Sequence, residues 1–364
     1  MKSKKPTRNR SGAVLPQRPS LKDLARYVKL SPTTVSLVLN RSRLADSIPP
    51  ETKRRIFKAA KMLGYRANFV ARSLRAQRSY TIGVIVPEIS EGYEAMVLSG
   101  IEDHLLREGY FYFVVSHRHK PELIAKYTEL LLERAIEGLI AVDTPCNDVY
   151  SVPVVAVSSH EDREGVTNII LDHDRAAMLA VDHLLGLGHR KIAVIKGQSF
   201  SSDTEARWTA IRETMRERGL QLDEALTVQL KGNTPSPHVG YVATKKLLLS
   251  NKPFTALVAF NDVSAIGAIR ALREAGRRVP EDVSVVGFDD IQSAEFQHPA
   301  LTTVHQPLHK MGTLAAKTVL YRIANGAEGS FPKILTVEPR LVVRESTGPA
   351  PRELAAVNIR LPSA

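Results

Sequence analysis

The sequence predicts an α/β protein in two parts: a small basic head of short helices, and a larger body of two lobes built on parallel sheets. Charge marks the division. Residues 1–80 hold 20 Lys and Arg against three acids (Asp23, Asp46, Glu51), a net +17, whereas residues 81–364 hold 30 against 35, a net −5. Hydrophobic patterning changes at Tyr80, from the i, i+3, i+4 recurrence of helices to short Val/Ile-rich runs alternating with helical stretches. Nine such runs suit two lobes better than one sheet.

At 364 residues, 43% apolar and 24% charged, the chain can bury sizeable cores. Its one cysteine, Cys146, excludes a disulfide scaffold and any multi-cysteine metal site. No apolar run approaches the ~18 residues of a membrane span. The N-terminus, MKSKKPTRNRSGAVLPQRPS, lacks the apolar centre of a secretory signal, so a cytoplasmic protein is expected. A basic fifth joined to a slightly acidic remainder suits a polyanion-binding head on a separate body. The rival readings are a solvated tail, which would cover only residues 1–18, and a head for anionic membrane surfaces.

In the head, Leu21, Leu24, Ala25 and Val28 share one helical face, with Ser20 as N-cap. After a break at Lys29-Leu30, Ser31 is a second N-cap and Pro32 occupies the first helical position, where its missing N–H costs nothing. Val35, Val38 and Leu39 face inward. Thr33, Leu37 and Asn40 lie opposite, flanked by Thr34, Ser36 and Arg41. A third helix starts around Pro50-Glu51 and runs through Ile56, Ala60 and Leu63 to Gly64. Two short helices with a tight turn and a third closing the core form a helix-turn-helix unit. Its second helix would offer Thr33 and Thr34 to base edges or phosphates, and Leu37 to a thymine methyl.

The stretch SLKDLARYVKLSPTTVSLVLNRS, followed by IPPETKRRIFKAAKMLGYRAN and VARSLR, resembles the N-terminal region of the lac repressor family of bacterial transcription regulators. The resemblance implies a DNA-binding surface of Thr33, Thr34, Ser36, Leu37, Asn40 and Arg41. It also implies a hinge helix around Asn68–Leu74 that orders in the minor groove, with Leu74 as a wedge between base steps and Arg72 and Arg75 beside it. A helix so short is marginal alone in water, and an apolar wedge that kinks the duplex gains further contacts. Two departures stand out. Lys29 sits where the family often has Gly, so a non-Gly residue must take positive φ, and Ala67 replaces the usual Pro.

In the body, the expected strands are Thr81–Val86, Phe111–Ser116, Gly138–Val142, Val152–Val157, Asn168–Leu171, Lys191–Ile195, Leu226–Leu230, Ala256–Phe260 and Val283–Phe288. Helices are expected near 93–108, 121–135, 174–187, 204–218, 238–249, 263–275 and 308–325. Near-continuous apolar strands between helices indicate parallel sheets covered on both faces. The run of motifs to PRLVVREST extends the resemblance over about 20–347 and implies a periplasmic-binding-protein-like effector domain. Its chain would cross between lobes near Asp172–Arg175, Thr303–Gln306 and Val337–Arg340. The expected division is a basic tail 1–19, the helix-turn-helix 20–65, hinge and linker 66–79, an effector-binding and dimerisation domain 80–347, and a tail 348–364.

Ligands of doubly wound sheets bind beyond the carboxyl ends of strands. Asn261 and Asp262 follow one strand, Asp289 another, and Arg207 falls in the first helical turn after a third. The resemblance implies effector contacts for Arg207, Asn261 and Asp289. Tyr93, at the end of the Pro87–Tyr93 loop, is placed to stack on a ring. Asp262 reads alternatively as a helix N-cap and Asp290 as a loop tie. Trp208 serves either the pocket or helix packing. The resemblance implies an aromatic residue over the ligand from the Gly232–Pro237 loop, as in several relatives; this loop has none, which disfavours a purine and leaves a sugar or other small polar metabolite ahead.

No phosphate loop, dinucleotide fingerprint or catalytic set is found, so neither a cofactor nor an enzyme is expected. His117 and His119 read as exposed polar residues, and Asp172-His173-Asp174 as a strand end and helix start, not a metal site. The tail Pro349–Ala364 has no leucine heptad, so a homodimer on double-stranded operator DNA is expected. The rival from another class, a solute-binding protein without DNA function, lacks its export signal and leaves the head unexplained.

Overall fold

The structure, a computed structural model, describes residues 19–39, 43–65, 78–90, 92–146, 150–233, 236–326 and 331–352. The chain divides into two compact units, 1–78 and 79–364.

In the first unit, α1 (Leu21–Tyr27) opens with a capping box: Asp23 N donates to Ser20 Oγ at 3.3 Å, and Ser20 N to Asp23 Oδ2 at 2.9 Å. Lys29 turns the chain at φ 54°. This left-handed conformation costs a residue with a Cβ about 1 kcal/mol. The second helix, α2 (Pro32–Leu39), begins with Thr34 N donating to Ser31 Oγ at 3.0 Å, and α3 (Pro50–Met62) begins on proline. Leu24, Val35 and Ile56 are completely buried where the three helices meet. Each contributes about 1.5–3 kcal/mol of hydrophobic stabilisation.

Among its described residues the second unit carries twelve strands. The first five are β1 (Thr81–Val86), β2 (Phe111–Ser116), β3 (Gly138–Val142), β4 (Val154–Val157) and β5 (Val166–Leu171). Then come β6 (Ile192–Lys196), β7 (Thr227–Gln229), β8 (Ala256–Ala259), β9 (Ser284–Asp289) and β10 (Thr302–His305), with β11 (Ile334–Val337) and β12 (Arg340–Val342) last. One sheet has the order β11-β5-β4-β3-β1-β2, the other β12-β10-β9-β8-β6-β7. Every pairing is parallel except β10 with β12. The helices are α4 (Tyr93–Arg107), α5 (Pro121–Glu133), α6 (His173–Gly186), α7 (Asp203–Glu217), α8 (Pro237–Leu249), α9 (Asp262–Glu274), α10 (Gln292–Glu295) and α11 (Leu308–Asn325).

All residues of β1, β3, β4, β8 and β9 are buried, which is why these strands read as unbroken apolar runs. The chain passes between sheets at Asp172, at Gln306 and between Val337 and Arg340. Sequence reading identified nine strands. The three it passed over, β10 to β12, flank the last two crossings, where short segments pair only because the sheets supply partners.

Two helix pairs touch through backbone. A Cβ on Gly100 of α4 would lie 1.9 Å from the His309 carbonyl oxygen on α11, and one on Gly312 would lie 2.0 Å from that of Val97. In the other lobe, Gly267 of α9 and Gly240 of α8 stand in the same relation to Pro237 and Ser264, at 1.7 and 2.1 Å.

Candidate functional site

On the head, Thr33 is exposed, whereas Thr34 and Ser36 are half-buried. The Oγ1 of Thr34 lies 2.8 Å from Ser31 Oγ at the helix start. Leu37, expected on the outer face, is half-buried and packs against the head core. In so small a bundle the flank of α2 is itself core, which reduces what Leu37 can offer a base. Lys53, Arg54, Lys58 and Lys61 of α3 add positive charge. Asn40, Arg41, Ala67, Arg72, Leu74 and Arg75 lie outside the described residues.

In the second unit the loops beyond the carboxyl ends of both sheets enclose a cleft of about 570 Å³, open mouth included. One lobe contributes Glu88, Tyr93, Glu94, His119 and Asp143. The other contributes Phe200, Asp203, Arg207, Asn261 and Asp289. All four residues singled out for this site, Tyr93, Arg207, Asn261 and Asp289, therefore line one cavity.

Arg207 is 3% exposed and held on every side. Its guanidinium lies 4.7 Å from the Phe260 ring centroid and 4.6 Å from that of Phe288. Its Nη1 donates to Phe260 O at 2.5 Å and its Nη2 to Gln306 Oε1 at 3.3 Å. Asp203 Oδ2 lies 3.6 Å away. Helix α7 starts at Asp203, so Arg207 opens its second turn and not, as expected, the first.

Asp289 ends β9 at φ 107°, a strained conformation for a residue with a side chain. Burial drives its carboxyl well above the usual carboxylate range, against the pull of Arg207. The orphaned Nε of Arg207 and Oδ1 of Asp289 are the kind of buried polar groups a bound ligand satisfies.

Asn261, not Asp262, is the N-cap of α9: its Oδ1 accepts from Ser264 N at 2.9 Å, leaving only its amide nitrogen for the cleft. Asp262 points inward instead, accepting from Thr303 Oγ1 at 2.6 Å and Ile291 N at 2.9 Å. The hydroxyl of Tyr93 donates to Ser158 Oγ at 2.5 Å. Asp290 is a loop tie, accepting from Arg344 Nη2 at 2.7 Å and lying 2.9 Å from His305 Nδ1. Trp208 packs against the main core with Lys196 over its ring, and does not line the cleft.

Spacing alone did not single out several residues of the cleft. Asp143 follows β3 and accepts from Ser202 N and Oγ of the opposite lobe, at 3.1 and 2.9 Å. Burial, with the charge of Asp203, pushes its carboxyl up to about 6. Burial pushes Glu94 up to about 7. Asp203 Oδ1 lies 2.8 Å from His160 Nε2 and 3.2 Å from His173 Nε2. Burial opposes its ionisation, yet these imidazoles and Arg207 together hold it below the ordinary range. His160, His173 and Asp203 are also the one grouping with metal-ligand potential among the described residues, their ligand atoms lying within 4.8 Å of one another. Two hydrogen bonds to a single carboxylate oxygen account for that closeness.

The two histidines read as exposed are not. His117 is buried with Nε2 3.1 Å from Thr144 Oγ1, and the His119 ring lies 3.9 Å from that of Phe200 across the cleft mouth. Burial of His119 by the opposite lobe has no local sequence signature. Among the described residues, no helix is long and apolar enough to cross a membrane.

Comparison with known proteins places this geometry. Residues 20–68 match the family described as "Bacterial regulatory proteins, lacI family", and residues 181–347 match "Periplasmic binding protein-like domain". The HTH-type transcriptional repressor PurR of Haemophilus influenzae is 32% identical over 338 residues, covering 90% of this chain and 98% of its own. Its counterpart in Pasteurella multocida is 31% identical with the same coverage. Among solved structures, the lac repressor dimer bound to operator and the anti-inducer ONPF superimposes with a TM-score of 0.80 at 26% identity, over 90% of this chain and 99% of that one. The CelR–cellobiose complex gives a TM-score of 0.66 at 29% identity, over 90% and 100%. A LacI family regulator from Enterococcus faecium with bound ribose gives 0.65 at 28%, over 74% and 99%.

Proposed function

Because the chain belongs to the lacI family of bacterial regulatory proteins, we propose that it is a transcriptional repressor whose operator affinity is set by a small polar metabolite in the interlobe cleft. The observation that carries this reading is the buried pair Arg207 and Asp289, each with an unpartnered polar atom, at the strand ends where such folds take ligands.

In this reading two copies of the chain seat their α2 helices in adjacent major-groove half-sites of a near-palindromic operator. Thr33 and Thr34 contact the bases, and the segment containing Arg72, Leu74 and Arg75 enters the minor groove. A dimer is supported by the operator-bound lac repressor dimer. Operator DNA as partner places the protein in the cytoplasm. Ligand in the cleft alters the relation of the two lobes, so operator and effector affinities are coupled reciprocally.

A sugar-like effector is supported by the cellobiose and ribose held by structural neighbours, and by the hydrogen-bonding side chains of the cleft. The relatives' name points instead to a purine. By resemblance to the family the Gly232–Pro237 loop would lay an aromatic residue over a base, and it has none, which weighs against a purine.

The test is a gel shift on DNA flanking the protein's own gene, with and without metabolites that raise its Tm. Binding should weaken steeply with salt, as counterion release from a basic head requires. Unchanged DNA affinity after removal of residues 1–75 would refute the regulator reading. Unchanged metabolite response in an Arg207 variant would refute the cleft.

A further inference from the structure

The cleft holds more acid than its fixed cations answer. Five carboxyl groups face it: Glu88, Glu94 and Asp143 from one lobe, Asp203 and Asp289 from the other. Asp203 is matched by His160, His173 and Arg207. Glu88 has His119 at 3.5 Å.

The remaining three are not matched. Glu94 accepts from the Ser90 hydroxyl at 3.1 Å and from its own backbone amide, and has no cation beside it among the described residues. Asp143 has serine donors and no cation. Asp289 Oδ1 is buried and accepts no hydrogen bond, with Arg207 Nη1 no closer than 4.0 Å. Arg207 cannot serve them all, being engaged by Phe260, Gln306 and Asp203.

Buried carboxylates without partners must either take up protons or receive a cation. Burial and mutual repulsion already favour the protonated forms of Glu94, Asp143 and Asp289. A neutral sugar supplies hydroxyl donors but no cation that would let these carboxyls ionise, and an anionic ligand opposes their ionisation further. A protonated amine brings three donors and the missing charge together. The unpartnered Nε of Arg207 asks in turn for an acceptor, which a bare alkylammonium lacks and a hydroxylated ligand has.

We propose that the effector is a hydroxylated primary amine of the amino-sugar type, its ammonium seated among Glu94, Asp143 and Asp289 and a hydroxyl oxygen at Arg207. This rests on the reading of the cleft as the effector site.

The experiment is a thermal-shift and calorimetric comparison on the full chain. The probes are D-glucosamine, D-galactosamine, N-acetyl-D-glucosamine, D-glucose, D-gluconate, putrescine and hypoxanthine. An amino sugar should raise the Tm, and its N-acetylated and deaminated counterparts should not. Glu94→Gln and Asp143→Asn should each weaken the amino sugar by about tenfold or more, the loss of one charge-assisted hydrogen bond. Their far-UV circular dichroism should match that of the parent chain. A response led by glucose, gluconate or hypoxanthine overturns the inference and leaves the cleft as an effector site. A response to putrescine alone overturns it too, since the diamine brings no acceptor for Arg207. No response to any probe overturns both this inference and the reading beneath it.

Discussion

Arg207 and Asp289 lie side by side at the back of the cleft, yet guanidinium and carboxylate come no closer than 4.0 Å and share no hydrogen bond. The arginine is tied elsewhere and the aspartate is left open. Removing the cation strands Asp203 and Asp289 in a buried site, so Arg207→Ala should destabilise the chain by about 3–5 kcal/mol. Asp289→Asn keeps the shape without the charge and should change stability by less than about 1 kcal/mol while abolishing the effector's action on operator binding. Urea denaturation and gel shifts of the two variants read these outcomes.

Glu94 makes the unliganded protein sensitive to alkali. Its carboxyl titrates near 7 when folded against 4.5 as the reference value. Between these values the folded chain binds more protons, so this contribution is present at low pH and disappears as pH rises through about 7. Its size is at most about 3 kcal/mol. His117, held down to about 4 by burial, has the opposite slope between that value and its ordinary range, so a raw profile mixes the two. The difference between parent and Glu94→Gln isolates the carboxyl. The variant should match the parent at about pH 4 and below, and exceed its stability by about 3 kcal/mol near about pH 8.

Thr33 and Val35 are neighbours on α2 with opposite surroundings, one exposed and the other completely buried. Thr33→Ala should leave head stability unchanged and cost operator binding about 1–3 kcal/mol. Val35→Ala should lower stability by about 2 kcal/mol through the cavity it opens. Thermal melts and gel shifts of both variants separate reading DNA from holding the head together.

Lys29 offers a gain. At φ 54° its side chain is a burden, and Lys29→Gly should raise head stability by about 1 kcal/mol. The expected readout is a higher denaturant midpoint with unchanged slope. An unchanged or lowered midpoint would show that the lysine side chain compensates for its own strain.

Gly312 tests the opposite case. A methyl group there meets the Val97 carbonyl oxygen, and Gly312→Ala has to force α4 and α11 apart. The cost should be about 3 kcal/mol, seen as a Tm lower by several degrees.

Strands were legible where both faces are covered, since β1, β3 and β4 must be apolar at every position. β12 was not, because three residues carry no period and its pairing depends on Thr303–His305 far away in sequence. In the cleft, Asn261 and Asp289 were found by their position after strands. The same rule applies to Asp143, which stands one residue beyond β3, and there the signal was present but passed over. For His119 no local signal exists, because Phe200 of the other lobe buries it.

The glycine contacts have a mechanical consequence. Where these helices meet main chain to main chain, no side chain lies between them at the glycines to rearrange. Each lobe is therefore braced by one helix pair held at van der Waals contact of its backbones. The chain passes from one lobe to the other at three connectors, Asp172, Gln306 and Glu338-Pro339, outside those braced helix contacts.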